Sequence, residues 1–309
     1  MFKLFYIFRQ FKLWMLLLAL LIGSQATQLT ASTPEFSLFV SSFNTNEVKR
    51  YDGASGAFLD NFASGFGLTR PIGLAFGPSG NLYVASLWTD EIVRYDGSTG
   101  AYIDTFVDNE RSFNVAELPF GLRFGPDDNL YVVSSEMDQV LRYDSFTGAF
   151  IDVFVSKGSG GLDDPLFLTF GPNGDLYITS SATDDVKRYS STNGEFIENF
   201  VTFRDAGLRE PQDLAFGPDG HLYVASFNSD EIKRYHGQTG DFIDNFVGAG
   251  HGGLDGPVGI AFGPDNQLYV SSFNTNEVKQ YDGNTGAFIS NFVIEGDGGL
   301  DKPLDLVFK

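Results

Sequence analysis

The sequence predicts an all-β fold, a six-bladed β-propeller of four-stranded blades, and three observations predict it. First, Gly-Pro-x-x-x-Leu-Tyr recurs five times, its Leu falling at Leu82, Leu130, Leu176, Leu222 and Leu268. A headless copy opens at Leu38-Phe39-Val40, so the spacings are 44, 48, 46, 46 and 46 residues. A fixed period of this size marks an array of one supersecondary unit. Second, each unit divides into four strand-like runs with turn signals about every 8–12 residues, and no window sustains a helical 3.6-residue period. Third, the first copy lacks its opening run, while the chain ends in a lone opening run, Pro303-Leu304-Asp305-Leu306-Val307-Phe308. One missing strand and one surplus strand of the same kind fit a ring in which the C-terminal strand completes the first blade and leaves no open edge.

Taken in order, the chain begins with Lys3, Arg9 and Lys12, then an apolar run over 13–22, then Gly23-Ser24-Gln25-Ala26. This is a charged region, a short hydrophobic region and a small-residue cleavage site, so residues 1–26 are expected to be a signal peptide. The apolar run is shorter than the roughly 20 residues of a membrane span. Residues 27–35 are polar, contain Pro34 and are expected to be a linker; the propeller is expected over 36–309. Within a unit, Pro71-Ile72-Gly73-Leu74-Ala75-Phe76 is the first strand, followed by a Gly-Pro-Ser-Gly turn at residues 77–80. Leu82-Tyr83-Val84-Ala85-Ser86 has the β-branched and aromatic content of a second strand. A loop leads to the third, Glu91-Ile92-Val93-Arg94-Tyr95, and Asp96-Gly97-Ser98-Thr99-Gly100 is a hairpin turn into the fourth.

The stretch over 257–270, Pro-Val-Gly-Ile-Ala-Phe-Gly-Pro-Asp-Asn-Gln-Leu-Tyr-Val, resembles the NHL repeat. Residues 94–100, Arg-Tyr-Asp-Gly-Ser-Thr-Gly, resemble the blade of virginiamycin B lyase-like propellers. The resemblance covers 36–309 and implies the fold; such propellers host lyases, lactonases and pure binding modules, so function has to be read from the site. One departure is that Ser42, Ser86, Ser134, Ser180, Ser226 and Ser272 stand where the NHL blade usually has Asp. Six identical residues in a ring point to a repeated loop hydrogen bond.

A site must break the repeat, so the copies are read in columns on the face where second strands end and first strands start. In the first strand, Ile72, Leu74 and Phe76 are expected between sheets, with Gly73 and Ala75 at the crowded axis. The Gly column continues Gly121, Phe167, Asp213, Gly259, Asp305, and the Ala column Arg123, Thr169, Ala215, Ala261, Val307. Phe167, Arg123, Asp213 and Asp305 are the exceptions. Either Arg123 neutralises the two carboxylates or a hard cation with oxygen ligands does, and Asp213 and Asp305 are therefore the metal-site candidates, calcium being the metal. The outer loop column reads Asn44, Trp88, Glu136, Ala182, Asn228, Asn274, beside Phe43, Leu87, Ser135, Ser181, Phe227, Phe273. Asn44, Trp88, Glu136, Phe167, Asn228, Asn274 and Arg123 are thus the ligand-binding candidates, amides and rings suited to a sugar or aromatic ligand or to a protein contact. A third column, Asn46, Asp90, Asp138, Asp184, Asp230, Asn276, is expected to anchor loop backbone.

Histidine is sparse. His221 and His236 fall on the opposite face, leaving only His251 near the expected site. The lyase resemblance would imply a His base beside magnesium, and amidating lyases of this fold several zinc-binding His; neither set can be placed. Gluconolactonase-like propellers hold a divalent metal through Glu, Asn and Asp, which Asp213, Asp305, Glu136 and Asn228 match only in part. No Cys is present, which removes disulfides and thiolate sites. After cleavage the chain carries 17 Lys+Arg against 40 Asp+Glu, net −23, a field that repels nucleic acid and anionic membranes. The expectation is an exported, monomeric binding or interaction module for a protein, carbohydrate or small molecule, without a membrane span after cleavage. A divalent-metal-dependent hydrolase or lyase using the axial carboxylates is the alternative. So is a structural envelope or matrix protein, suggested by the near-identical copies at residues 40–49 and 270–279.

Export carries its own test. Mass spectrometry of the protein recovered outside the cytoplasm should place the first residue near Thr27; recovery with Met1 intact contradicts the signal-peptide assignment.

Overall fold

The computed structural model describes residues 36–108, 117–203 and 206–309; the expected signal peptide (1–26) and linker (27–35) lie outside them. Runs of Leu, Tyr, Val and Ile alternate with Gly-, Asp- and Asn-rich turns, and each repeat accordingly folds into one antiparallel sheet. There are six such sheets of four strands among the described residues. The first blade comprises Ser37–Ser42, Glu47–Asp52 and Phe58–Ser64, completed by Pro303–Phe308. The second to sixth blades open at Pro71, Pro119, Pro165, Pro211 and Pro257. No described helix is long and apolar enough to cross a membrane.

Closure is by the C-terminal strand, as expected. Leu38, Phe39 and Val40 pair with Phe308, Val307 and Leu306, and Ser37 and Lys309 exchange backbone hydrogen bonds of 2.7 and 3.0 Å. The strand that would otherwise expose its N–H and C=O groups is thereby paired on both sides.

Blades are joined by an aromatic sandwich that repeats around the ring. The Tyr of each Leu-Tyr motif is buried between the Phe of its own fourth strand and the Phe ending the next blade's first strand. Tyr83 lies between Phe106 and Phe124, and Tyr131, Tyr177, Tyr223 and Tyr269 repeat the arrangement, with Phe39 taking the place of Tyr in the first blade. Ring centres are 4.8–5.1 Å apart and meet edge to face. Such pairs contribute about 0.5–1.5 kcal/mol each beyond the area they bury.

The first strand departs from simple alternation. Pro71 pairs with Ser86 but Leu74 with Val84, so two residues, Ile72 and Gly73, face the single Ala85. The same bulge recurs in the other opening strands. A bulge turns consecutive side chains to one side, and this corrects the expectation that Ile72 packs between sheets. Ile72, Leu166, Val258 and Leu304 come from four different blades, yet pack into one buried cluster, with Phe120 against it. They meet at the axis and close the channel.

The two loop expectations are refined in the same way. Each repeated Ser accepts the N–H of the residue two before its blade's opening Pro, or donates to that residue's carbonyl, at 2.9–3.3 Å; this residue lies 17 positions earlier in five blades and is Asp301 for Ser42. Asn46, Asp90, Asp138, Asp184, Asp230 and Asn276 do more than anchor their own loops. Each accepts the backbone N–H of the residue just before the next blade's opening Pro, at 2.6–2.9 Å.

Deleting residues 303–309 tests closure. It removes Leu304 and Leu306, buried, and Phe308, half-buried, each worth up to about 1.5–3 kcal/mol, and opens the inner edge of Ser37–Ser42. Against a typical stability of about 5–15 kcal/mol, the truncated protein should melt far lower or aggregate. An unchanged melting temperature would mean that the ring is closed by other contacts.

Candidate functional site

The mouth is built by the residues that precede the six opening prolines. Proline disfavours the right-handed helical region for the residue before it, and here Arg70, Leu118, Asp164, Glu210, Gly256 and Lys302 all take positive φ, 47–62°. Only one of the six is Gly. The strain in the others is offset by the N–H bonds just described, which hold each of these residues to the blade before it. In ring order from the first blade the column reads Lys302, Arg70, Leu118, Asp164, Glu210, Gly256. Two cations sit side by side, two anions sit side by side, and Leu118 and Gly256 separate the halves.

Aromatic rings seat the cations. The Arg70 guanidinium lies 4.6 Å from the ring centres of both Phe43 and Trp88, and donates to Asn44 Oδ1. Lys302 Nζ lies 4.3 Å above Phe273 and 3.3 Å from Asn274 Oδ1. On the other side, Asp164 accepts from Ser135 Oγ at 2.6 Å and Glu210 from Asn228 Nδ2 at 2.5 Å. Burial raises the Glu210 pKa above the usual carboxyl range; Asn228 opposes this, while the charges of Asp164 and Asp184 add to it. Among the described residues, none of the four charged groups has an ion-pair partner.

Several candidates named from sequence gather here. Asn44, Trp88, Glu136, Asn228 and Asn274 are all exposed on the loops around the mouth, Trp88 at 64%. Asn44, Asn228 and Asn274 are the second partners of Arg70, Glu210 and Lys302. Sequence columns missed those three charged residues and Asp164 because the position before the proline was not read. Its signal is the grouping of charge by sign at a position fixed by the repeat.

Phe167 and Arg123 do not belong to the mouth. Phe167 is fully buried in the axial cluster, 6.5 Å from Phe120, so it forms the floor and is shielded from a ligand. Arg123 reaches across the axis below that floor. Its Nη1 donates to Asp305 Oδ2 at 3.1 Å and to the carbonyls of Leu74 and Leu122, and Nη2 is 3.8 Å from Asp213 Oδ1. Both Asp side chains are fully buried. Asp213 also accepts the N–H groups of Leu214 and Ile260, and Asp305 those of Leu306 and Leu74. In each case the second N–H belongs to the next blade. At Gly73 and Gly259 in the same column, an added Cβ would lie 2.3 and 2.2 Å from the next blade's carbonyl oxygen. The two carboxylates therefore replace a close backbone contact with hydrogen bonds.

This arrangement answers the alternative left open by the sequence. The guanidinium stands where a shared cation was expected, and the carboxylate oxygens already face N–H donors. Glu136 and Asn228 lie out at the mouth, and no three metal-binding acids or imidazoles converge among the described residues. The residues at the axis do not fit a calcium ion. Arg123 is 26% exposed, toward a cavity of about 560 Å³ lined mainly by the far ends of the opening strands, such as Phe76, Phe216 and Phe308.

Removing one partner from a buried charge network typically costs about 3–5 kcal/mol, whereas replacing the whole network is often near neutral. Arg123→Ala should therefore lower stability sharply, while the triple change with Asp213→Gly and Asp305→Gly, the residues the columns favour, should recover most of the loss. Burial raises the Asp213 pKa to about 7 against the pull of Arg123, the Asp305 charge adding to the rise. A raised native pKa contributes stability at low pH that is lost as pH rises through the native value. Denaturant titrations should accordingly show wild-type stability falling toward and through pH 7 relative to the triple variant; parallel profiles would contradict this.

No family model matches the chain, and no curated protein matches it. Solved structures do resemble it in shape. A catalytically inactive variant of virginiamycin B lyase from Staphylococcus aureus, with quinupristin, superposes with a TM-score of 0.61 at 14% identity, covering 86% of this chain and 87% of that one. A chain of a nidogen/laminin complex gives 0.69 at 15% identity, covering 88% and 98%. A gluconolactonase from Xanthomonas campestris gives 0.57 at 20% identity, covering 74% and 77%. The chain thus resembles in fold propellers that include lyases, a lactonase and a protein of a binary complex, and at these identities the likeness extends to the fold alone.

Proposed function

We propose that this protein is an exported binding module whose mouth takes a polypeptide segment of mixed charge. The observation that carries this is the sorting of Lys302 and Arg70 to one side of the mouth and Asp164 and Glu210 to the other, all four without a counter-ion among the described residues. Charges held by rings and amides remain available to a ligand, and opposed halves select one that presents both signs. Polypeptide is the class that carries both signs together with apolar groups, and exposed Trp88 offers the anchor such contacts favour. Because the floor is closed by Ile72, Leu166, Val258 and Leu304, the ligand lies across the mouth. The fold likeness and Glu210 favour a second reading, a lyase or lactonase reaction with Glu210 as acid–base group.

Trp88 is the only Trp after residue 14, so its fluorescence reports on the mouth. Titration with synthetic peptides of acidic, basic and mixed charge should single out the mixed set, with affinity falling as salt rises. Arg70→Ala and Glu210→Gln should each weaken binding about tenfold, or about 1.4 kcal/mol. Equal binding of uncharged peptides, or indifference to both changes, overturns the proposal; turnover lost only in Glu210→Gln establishes the second reading.

A further inference from the structure

The face opposite the mouth holds a second departure from the repeat. His221 stands where other blades carry Asn81, Asn129, Asp175 and Gln267, and His236 where they carry Asp52, Asp96, Asp144, Ser190 and Asp282. In four blades that Asp closes the hairpin turn, as Asp96 does by accepting the N–H groups of Ser98 and Thr99 and the Thr99 hydroxyl at 2.8–3.0 Å. His236 forfeits this. It keeps one long contact, Gln238 N–H to Nδ1 at 3.4 Å, and Thr239 turns to Asp241 instead. The fifth blade therefore has a less well bonded turn than the four blades that carry Asp, and gains two adjacent imidazoles.

Their ring centres are 5.4 Å apart. Two imidazoles sharing one tetrahedral ion, with metal–nitrogen bonds of about 2.0–2.1 Å, hold their centres about 5 Å apart. His221 Nδ1 is, among the described residues, the one buried side-chain nitrogen or oxygen without a hydrogen-bond partner, and leaving such an atom unsatisfied is costly. Both rings line a cavity of about 570 Å³ at the seam of the fourth and fifth blades, together with the polar side chains of Asn173, Arg188 and Gln238. The cavity has room for the waters that would complete a coordination shell.

We propose that His221 and His236 form a binding site for a divalent transition-metal ion of the zinc class. Imidazole nitrogen suits zinc, nickel and copper and is a poor ligand for calcium or magnesium. Two protein ligands leave open coordination positions, the mark of an exchangeable site as opposed to a closed structural one. The site is independent of the mouth, on the opposite end of the same strands.

Calorimetric titration of the chelator-treated protein with zinc chloride, in excess magnesium to occupy surface carboxylates, should show one saturable site per chain. His221→Asn and His236→Ser, each borrowing the residue of another blade, should weaken zinc binding at least tenfold, while His251→Ser should leave it intact. Zinc should also protect His221 and His236 of the wild-type protein from diethylpyrocarbonate, read by peptide mass mapping, which keeps the test open should either variant fold poorly. Saturable binding that survives in both variants, or zinc that protects neither ring, overturns the site.

Discussion

Everything in this fold depends on the seam between neighbouring blades. A four-stranded sheet of this length cannot bury both faces alone, and each blade must lay one face on the next. Two contacts secure the seam, the aromatic sandwich in the middle of the blade and the Asx-to-backbone bond at the mouth. Both recur in every copy, with Phe39 in the place of Tyr in the first blade and Asn or Asp at the acceptor position, so each seam is made in the same way. A closed ring of such seams has no slack: the last seam must close on the first. The strand Pro303–Phe308 does this by completing the first sheet instead of adding a seventh.

Closure crowds the axis, and crowding explains the column of small residues. Where the column is Gly, neighbouring backbones approach so closely that a Cβ has no space. Asp213 and Asp305 enter only because their oxygens take the hydrogen-bonding place of that backbone contact, and two buried carboxylates then require a cation. Arg123, from the blade across the axis, is long enough to serve both. Three of the four exceptions to the column rules, Arg123, Asp213 and Asp305, are thus one exception, since none is tolerable without the others.

Much of this was legible in the residues. The period, the four-run unit and the surplus terminal strand led directly to six blades and their closure, because each rests on local propensity or on counting. The choice at the axis between Arg123 and a cation was framed by sequence but decided by reach, which no column records. Ile72 was misplaced because alternation assumes a regular strand, and the bulge opposite Ala85 shifts the phase by one residue. Arg70, Asp164, Glu210 and Lys302 were passed over because a position before proline reads as a joint. Its left-handed backbone, fixed by an acceptor on the preceding blade, is a tertiary effect. Phe167 looked like a ligand contact because the column rightly places it at the axis but does not record that neighbouring side chains bury it there.

In a ring of near-identical blades, departure from the repeat is a necessary sign of a site but not a sufficient one. The three departures in this molecule separate by whether their polar groups are already satisfied. At the axis every carboxylate oxygen meets a donor and the guanidinium meets two carboxylates, so the cluster is complete and needs nothing from outside. At the mouth the charges are held in place by rings, hydroxyls and amides, which position them without neutralising them. At the histidine pair the repeat's own turn bonds have been given up and a buried nitrogen has no partner. Completeness marks the first as architecture. Charge held without a partner marks the second as a surface made to meet a ligand, and an unmet donor site marks the third. The distinction is physical, since a buried network stabilises only when closed, whereas recognition requires groups whose best partner is still to arrive.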